Sequence, residues 1–200
     1  MEKIVVIGSS GAGKSIYASK LSAILNINVF HLDRLFWQSG WEEKTGFARK
    51  EILQDLLFKE QRWIIDGNYL RFAELHVSAA DTIIFLETPS LLCFWRLILR
   101  HRKYRKRSRD DIPEGCTDRL TLPHLWKVLI FPFQGKRTIG QMLHNYSSKR
   151  IIWLHSVQEV TDFFAQQRQN VESQRIATEL AQQRQNVESQ RIATESASVV

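Results

Sequence analysis

Apolar residues along this chain fall into short unbroken runs, separated by longer stretches in which they recur every three or four positions. Runs of four to eight apolar residues bounded by turn signals read as buried strands, and the 3.6-residue recurrence reads as helix. On that basis Lys3–Ile7 is a strand, Lys14–Leu25 a helix, Asn28–His31 a strand and Phe47–Lys59 a helix. Strands Trp63–Asp66 and Thr82–Leu86 follow, then a long helix from Pro89 to about Lys106. Helical pieces lie between Leu120 and Leu143, before a strand at Arg150–Leu154 and a closing helix from Val157. Five short strands alternating with helices predict an α/β fold: a five-stranded parallel sheet covered by helices on both faces, three layers in all. Near residue 165 the pattern changes. AQQRQNVESQRIATE at 165–179 recurs at 181–195, a period of 16. Two copies are too few for a solenoid, and Val171, Ile176, Leu180, Val187 and Ile192 hold no steady helical face. The expected organisation is one domain over 1–165 and a repeated extension over 166–200, either helical with a frayed end or disordered.

Composition narrows the class. At 200 residues with 44% hydrophobic content, the chain can bury one sizeable core. No apolar run approaches the roughly 18 residues that cross a membrane, and Met1–Ile4 leads straight into a strand with no cleavage site behind it. A cytoplasmic protein without a membrane partner is expected. Cys93 and Cys116 are the only cysteines, too few for a disulfide framework or a zinc site, and the six histidines show no metal-ligand spacing. The net charge of +7 is unevenly placed. Arg96, Arg100, Arg102, Lys103, Arg105, Lys106, Arg107 and Arg109 sit within fourteen residues that contain no acid, and the rest of the chain carries 20 basic against 21 acidic residues. A cationic element of this density calls for anions: nucleotide phosphates, nucleic acid or an acidic surface.

The chemistry begins at Gly8-Ser9-Ser10-Gly11-Ala12-Gly13-Lys14-Ser15, with Ile16 next in the helix. The pattern G-x-x-x-x-G-K-[ST], between a predicted strand and a predicted helix, describes a loop whose backbone N–H groups converge on phosphate oxygens. The helix N-terminus behind it adds partial positive charge. Lys14 is expected on the β- and γ-phosphates and Ser15 on Mg²⁺, so residues 8–16 form the expected cradle for ATP. WIIDGNYLR at 63–71 leads from a strand into a turn, and ligands gather at the carboxyl ends of strands in such sheets. Asp66 is therefore the second expected Mg²⁺ partner.

WIIDGNYLR resembles the D-G-[FY]-P-R segment of adenylate kinases, and ADTIIFLETPSLLCFWRLILR resembles the strand and arginine-bearing helix that follow it. HLDRLFWQSGW, WIIDGNY and the basic segment running into Gly115-Cys116 are similar to DNA topology modulation proteins, kinase-like P-loop ATPases. The resemblance covers about 1–165 and departs in one respect: the motif proline is absent and Arg71 comes one residue late. It implies an adenylate kinase-like P-loop NTPase fold, with Arg96 and Arg100, four apart on one helix face, acting on the transferring phosphoryl group. It also implies a lid over about 101–118 and an acceptor-binding segment over about 34–60.

On the acceptor side, Asp33 follows the second strand, with Arg34, Phe36, Trp37 and Trp41 behind it. A hydroxyl acceptor calls for a general base, and Asp33 is the residue placed for it; a phosphate acceptor calls instead for Arg34 and Arg71. These aromatics, Trp37 among them, either stack on a base or pack as core beneath a loop, and Arg119 and Arg137 are further anion-binding residues to consider. Three readings follow: a kinase passing the γ-phosphoryl of ATP to a nucleotide, nucleoside or similar small molecule, an ATPase working on DNA through residues 96–109, or a nucleotide-binding module without catalysis.

Overall fold

The computed structural model describes residues 1–105 and 111–197, apart from the side chains of Leu70 and of residues 187–197. Lys106, Arg107 and Arg109 of the expected lid lie outside the described residues. In chain order the elements are β1 (Lys3–Gly8), α1 (Lys14–Leu25), β2 (Val29–His31), α2 (Leu32–Phe36), β3 (Trp37–Gln38), β4 (Glu42–Glu43), α3 (Gly46–Lys59) and β5 (Trp63–Asp66). They continue with α4 (Ala73–Ala79), β6 (Thr82–Leu86), α5 (Ser90–Tyr104), α6 (Leu122–Leu129), α7 (Gly135–His144), β7 (Arg150–Leu154) and α8 (Val157–Ala197).

Five strands pair in the order β2-β5-β1-β6-β7, every pair parallel. Alternation along each strand builds two cores. Val5, Ile7, Ile65, Ile83 and Phe85 face α3, α4 and α7, meeting Leu53, Leu56, Val77, Ile139 and Leu143 in one cluster. The other face carries α1, which packs across β1, β2 and β5. Ile4, Val5, Val6 and Ile7 are fully buried, each contributing about 1.5–3 kcal/mol of transfer free energy. Register brings the carboxyl ends level: Val6 lies beside Asp66, His31 beside Asp66 and Gly8 beside Leu86. Whatever follows those residues shares one edge of the sheet.

Four elements are additions to the pattern read from the sequence. The five residues of α2 are too few to show helical periodicity, and β3 and β4 have two residues each. Gly40 and Trp41, both at positive φ, turn the chain between them. The seven residues of α4 were likewise too short to register. The long cationic helix begins at Ser90, one residue after the proline that sets its entry.

The chain divides into two compact units, Met1–Val160 and Thr161 onward. Ser156 and Glu159 open α8 as a capping box: the Ser156 hydroxyl accepts from the Glu159 N–H at 3.1 Å and the Glu159 carboxylate accepts from His155 N–H at 2.9 Å. Between the two repeat copies there is neither glycine nor proline, so nothing in the local chemistry stops the helix, and it runs on through Ala197. Arg175 and Glu179 pair across one turn at 2.9 Å.

His76, on α4, is fully buried, with Nδ1 2.8 Å from the Phe72 carbonyl and no partner at Nε2. Since the carbonyl only accepts, Nδ1 carries the proton and Nε2 is bare; protonating it would place a charge in the core. Burial pushes the His76 pKa down to about 4 from 6.5. The unfolded chain takes up that proton first, so the stability present above pH 6.5 is lost as pH falls towards 4, by about 3 kcal/mol. Urea unfolding of wild type and His76→Leu at pH 7 and pH 4.5 should show a steeper acid loss in the wild type; parallel losses would remove His76 as the cause.

Candidate functional site

At the end of β1 the backbone turns through a loop that only glycine can build. Gly11 has φ 81°, and a Cβ there would sit 2.5 Å from the Cys93 carbonyl oxygen of α5; at Gly8 it would sit 2.6 Å from that of Leu86. The loop is thus pressed onto the end of β6 and the first turn of α5. Within it, Ala12 N–H donates to Ser9 O at 3.1 Å, and Gly13, also at positive φ, opens α1. Lys14 does not extend into solvent. Its Nζ folds back to Ser9 O at 3.0 Å, while Arg96 and Thr88 both donate to Ala12 O at 3.3 Å. Two cations from different elements therefore meet on neighbouring parts of one loop, at the N-terminus of a twelve-residue helix. That is an anion site by charge and by donor placement.

Asp66, at the end of β5, is only 6% exposed. Its Oδ2 lies 2.8 Å from His31 Nδ1, at the level end of β2, and its Oδ1 is buried without a hydrogen-bond partner. A buried carboxylate oxygen left bare costs free energy, and a metal-bound water is a partner of the right kind. Ser15, the first hydroxyl of α1, and Asp66 thus fit Mg²⁺ by donor chemistry. Asn68 follows two residues later. Its side-chain amide bridges Gly8 as another strand would, accepting from Gly8 N–H at 2.9 Å and donating to Gly8 O at 2.6 Å. Sequence reasoning passed over Asn68, although an amide directly after Asp-Gly at a strand end was the available signal.

The expected acceptor side contains Asp33, which is exposed on α2. Tyr69 donates to Asp33 Oδ1 at 2.7 Å, and the same phenol oxygen accepts from Trp37 Nε1 at 2.7 Å. Burial, then the Asp33 charge, drive the Tyr69 pKa far up, so its hydroxyl stays protonated and keeps donating. Phe36 packs edge-on against the Tyr69 ring with centroids 4.7 Å apart. Trp37 is half-buried and meets Trp41 edge to face, and Trp41 Nε1 donates to Thr117 O at 2.9 Å. The β3–β4 hairpin is thereby tied to the C-terminal end of the expected lid.

Arg96 reaches the phosphate loop, but Arg100, one turn on, is engaged elsewhere. Its Nε is 3.0 Å from Asp118 Oδ1, and Asp118 is 4% exposed. Asp118 and His124 were not read from the sequence. Burial and the Arg100 charge lower the His124 pKa, while the carboxylates of Asp118 and Asp33 act the other way, so His124 feels both groups. Arg34 and Arg71 are exposed, as are Arg119 and Arg137. Arg49, within the expected acceptor segment, is buried against Glu43 and the face of Phe72.

Solved structures give this geometry a fold. The chain is similar to a shikimate kinase from Acinetobacter baumannii in complex with shikimate, at 15% identity over 87% of this chain and 94% of that one, with a TM-score of 0.51. Two looser likenesses are a shikimate kinase from Bacteroides thetaiotaomicron (17% identity, 84% and 97% covered, TM-score 0.47) and a deoxyadenosine kinase from M. mycoides with dCMP and dCDP (15%, 85% and 98%, 0.45). The fold is accordingly the three-layer α/β/α arrangement of P-loop kinases. No family model and no curated protein matches the chain. The likeness to DNA topology modulation proteins is not supported by these comparisons.

Proposed function

We propose that this chain is a P-loop kinase that transfers the γ-phosphoryl group of ATP to a hydroxyl of a small molecule, with Asp33 as the base. The observation that carries the reading is the Trp37–Tyr69–Asp33 chain of hydrogen bonds, which holds a carboxylate at the same sheet edge as the phosphate loop. A phosphate acceptor would be repelled by that carboxylate. It would also call on nearby cations, whereas Arg100 is neutralised by Asp118 and Arg49 by Glu43.

Mg²⁺, held by Ser15 and through water by Asp66, would neutralise charge on the β- and γ-oxygens. Lys14, Arg96 and the loop amides bind and orient the triphosphate, and Lys14 and Arg96 offset the charge that spreads onto the transferred oxygens. Asp33 takes the proton of the acceptor hydroxyl as its oxygen bonds to the γ-phosphorus and the bond to the β,γ-bridging oxygen breaks. The products are a phosphomonoester and ADP. Tyr69 keeps Asp33 aimed, and the half-exposed face of Trp37 is available to a ring of the acceptor. Arg34 and Arg71, both exposed, are the residues proposed to meet polar groups of such a molecule.

The DNA-directed reading draws on the eight cations of 96–109, but Arg96 and Arg100 are turned inward to Ala12 and Asp118. Incubation with γ-labelled ATP and a panel of nucleosides, polyols, nucleoside monophosphates and DNA separates the possibilities. Label on neutral hydroxyl compounds is expected. Label on monophosphates alone would move the acceptor role to Arg34 and Arg71, and DNA-stimulated hydrolysis without transfer would replace the kinase reading.

A further inference from the structure

The solvent faces of α5 and α6 are apolar where surface helices are ordinarily polar. On α5, Cys93 and Leu97 are buried, and Leu91, Trp95 and Leu99, roughly 200° away around the axis, form an exposed stripe one turn apart. On α6, which packs against α5, Val128 is buried and Leu122 and Trp126 stand on the opposite side. The exposures are large: 59% for Trp95, 64% for Trp126 and 82% for Leu122. Side chains of this size on one flank mark an interaction surface. Charge says what kind. Arg102 and Lys103 continue the α5 stripe by one turn, and Lys127 flanks Trp126. No acidic residue occurs from Thr88 to Arg105 or from Arg119 to Gln158.

We propose that the α5–α6 flank docks on the surface of a bilayer containing anionic lipid, inserting Trp95, Leu99 and Trp126 at the headgroup level while Arg102, Lys103 and Lys127 meet lipid phosphates. Leucine and tryptophan beside exposed cations, with no acid on either helix, are what an interfacial helix requires. No helix among the described residues is long and apolar enough to cross a membrane; docking on one leaflet requires none. A second copy of this chain fits the face poorly, because a two-fold contact would set Arg102 and Lys103 of one copy near those of the other, with no carboxylate on either helix to offset them. Nucleic acid would satisfy the cations but leave the stripe in water. The proposal stands independently of the kinase reading, since none of these apolar residues belongs to the site.

Co-sedimentation of the full chain with unilamellar vesicles tests it, using phosphatidylcholine alone and phosphatidylcholine mixed with phosphatidylglycerol. Pelleting with the mixed vesicles, a blue shift in tryptophan emission and weakening as salt rises are expected. Trp95→Glu/Leu99→Glu should weaken binding by about tenfold or more, and Arg102→Gln/Lys103→Gln should weaken binding to the mixed vesicles specifically. Unchanged thermal melting certifies the fold of each variant, with Trp126→Ser as a milder second probe. Absence of pelleting with anionic vesicles, or equal pelleting of the wild type and both apolar variants, would overturn the proposal. So would a concentration-dependent dimer that the Trp95→Glu/Leu99→Glu variant abolishes, which would assign the face to self-association.

Discussion

Lys14→Ala is expected to weaken ATP binding by about a hundredfold or more in Kd, while the protein melts within a few degrees of wild type. The asymmetry follows from what the ammonium touches. Without ligand, Lys14 Nζ makes one hydrogen bond, to Ser9 O at 3.0 Å in a half-buried setting, worth about 1 kcal/mol. With a triphosphate in the loop it faces several anionic oxygens in a partly desolvated site, where each charge-assisted bond is roughly twice as strong as a neutral one. Arg96, which already reaches Ala12 O, cannot substitute, because it approaches from α5 rather than from the start of α1. Titration of a fluorescent ATP analogue beside a melting curve gives both readouts. Retained affinity would mean that residues 8–15 only shape a turn, and the kinase reading would lose its donor half.

How much of this was legible depends on sequence separation. The strands of the sheet are three to six residues of nearly unbroken apolar character, and Trp63–Asp66 and Thr82–Leu86 stand at their predicted bounds. The phosphate loop is legible for a different reason: its glycines and lysine act through their own backbone, within eight residues. Asn68 and Tyr69 are different. One side chain grips Gly8 across 60 residues and the other grips Asp33 across 36, and nothing local marks either partner. Arg100 makes the same point from the other side. Its spacing from Arg96 places it on a shared helix face, but the buried carboxylate that claims it arrives eighteen residues later, and Asp118 looks in the sequence like any loop acid. Periodicity reports which way a residue faces; what it meets there is fixed by the crossing of other elements.

Asp33→Asn should lower kcat by about 10²–10⁴, the range a positioned general base supplies, with ATP affinity unchanged because the hydrogen bond described for Asp33 goes to Tyr69 and not to the phosphate loop. Asparagine is nearly isosteric and can still accept from the Tyr69 hydroxyl, so the fold and the Trp37–Tyr69 pair should survive. Tyr69→Phe separates positioning from proton transfer. It removes the hydrogen bond that aims Asp33 and strands Trp37 Nε1, at a cost of about 1–3 kcal/mol in stability if that donor finds no water. Turnover should fall by about tenfold, because the carboxylate is still present but samples other rotamers. The acceptor KM should rise in Tyr69→Phe and stay near wild type in Asp33→Asn, a split that a purely structural role for both residues would not produce. Equal losses in the two variants would make Asp33 part of the packing around Tyr69 rather than the base. An Asp33→Asn enzyme with wild-type kcat would return the acceptor side to Arg34 and Arg71, and with them to a phosphate.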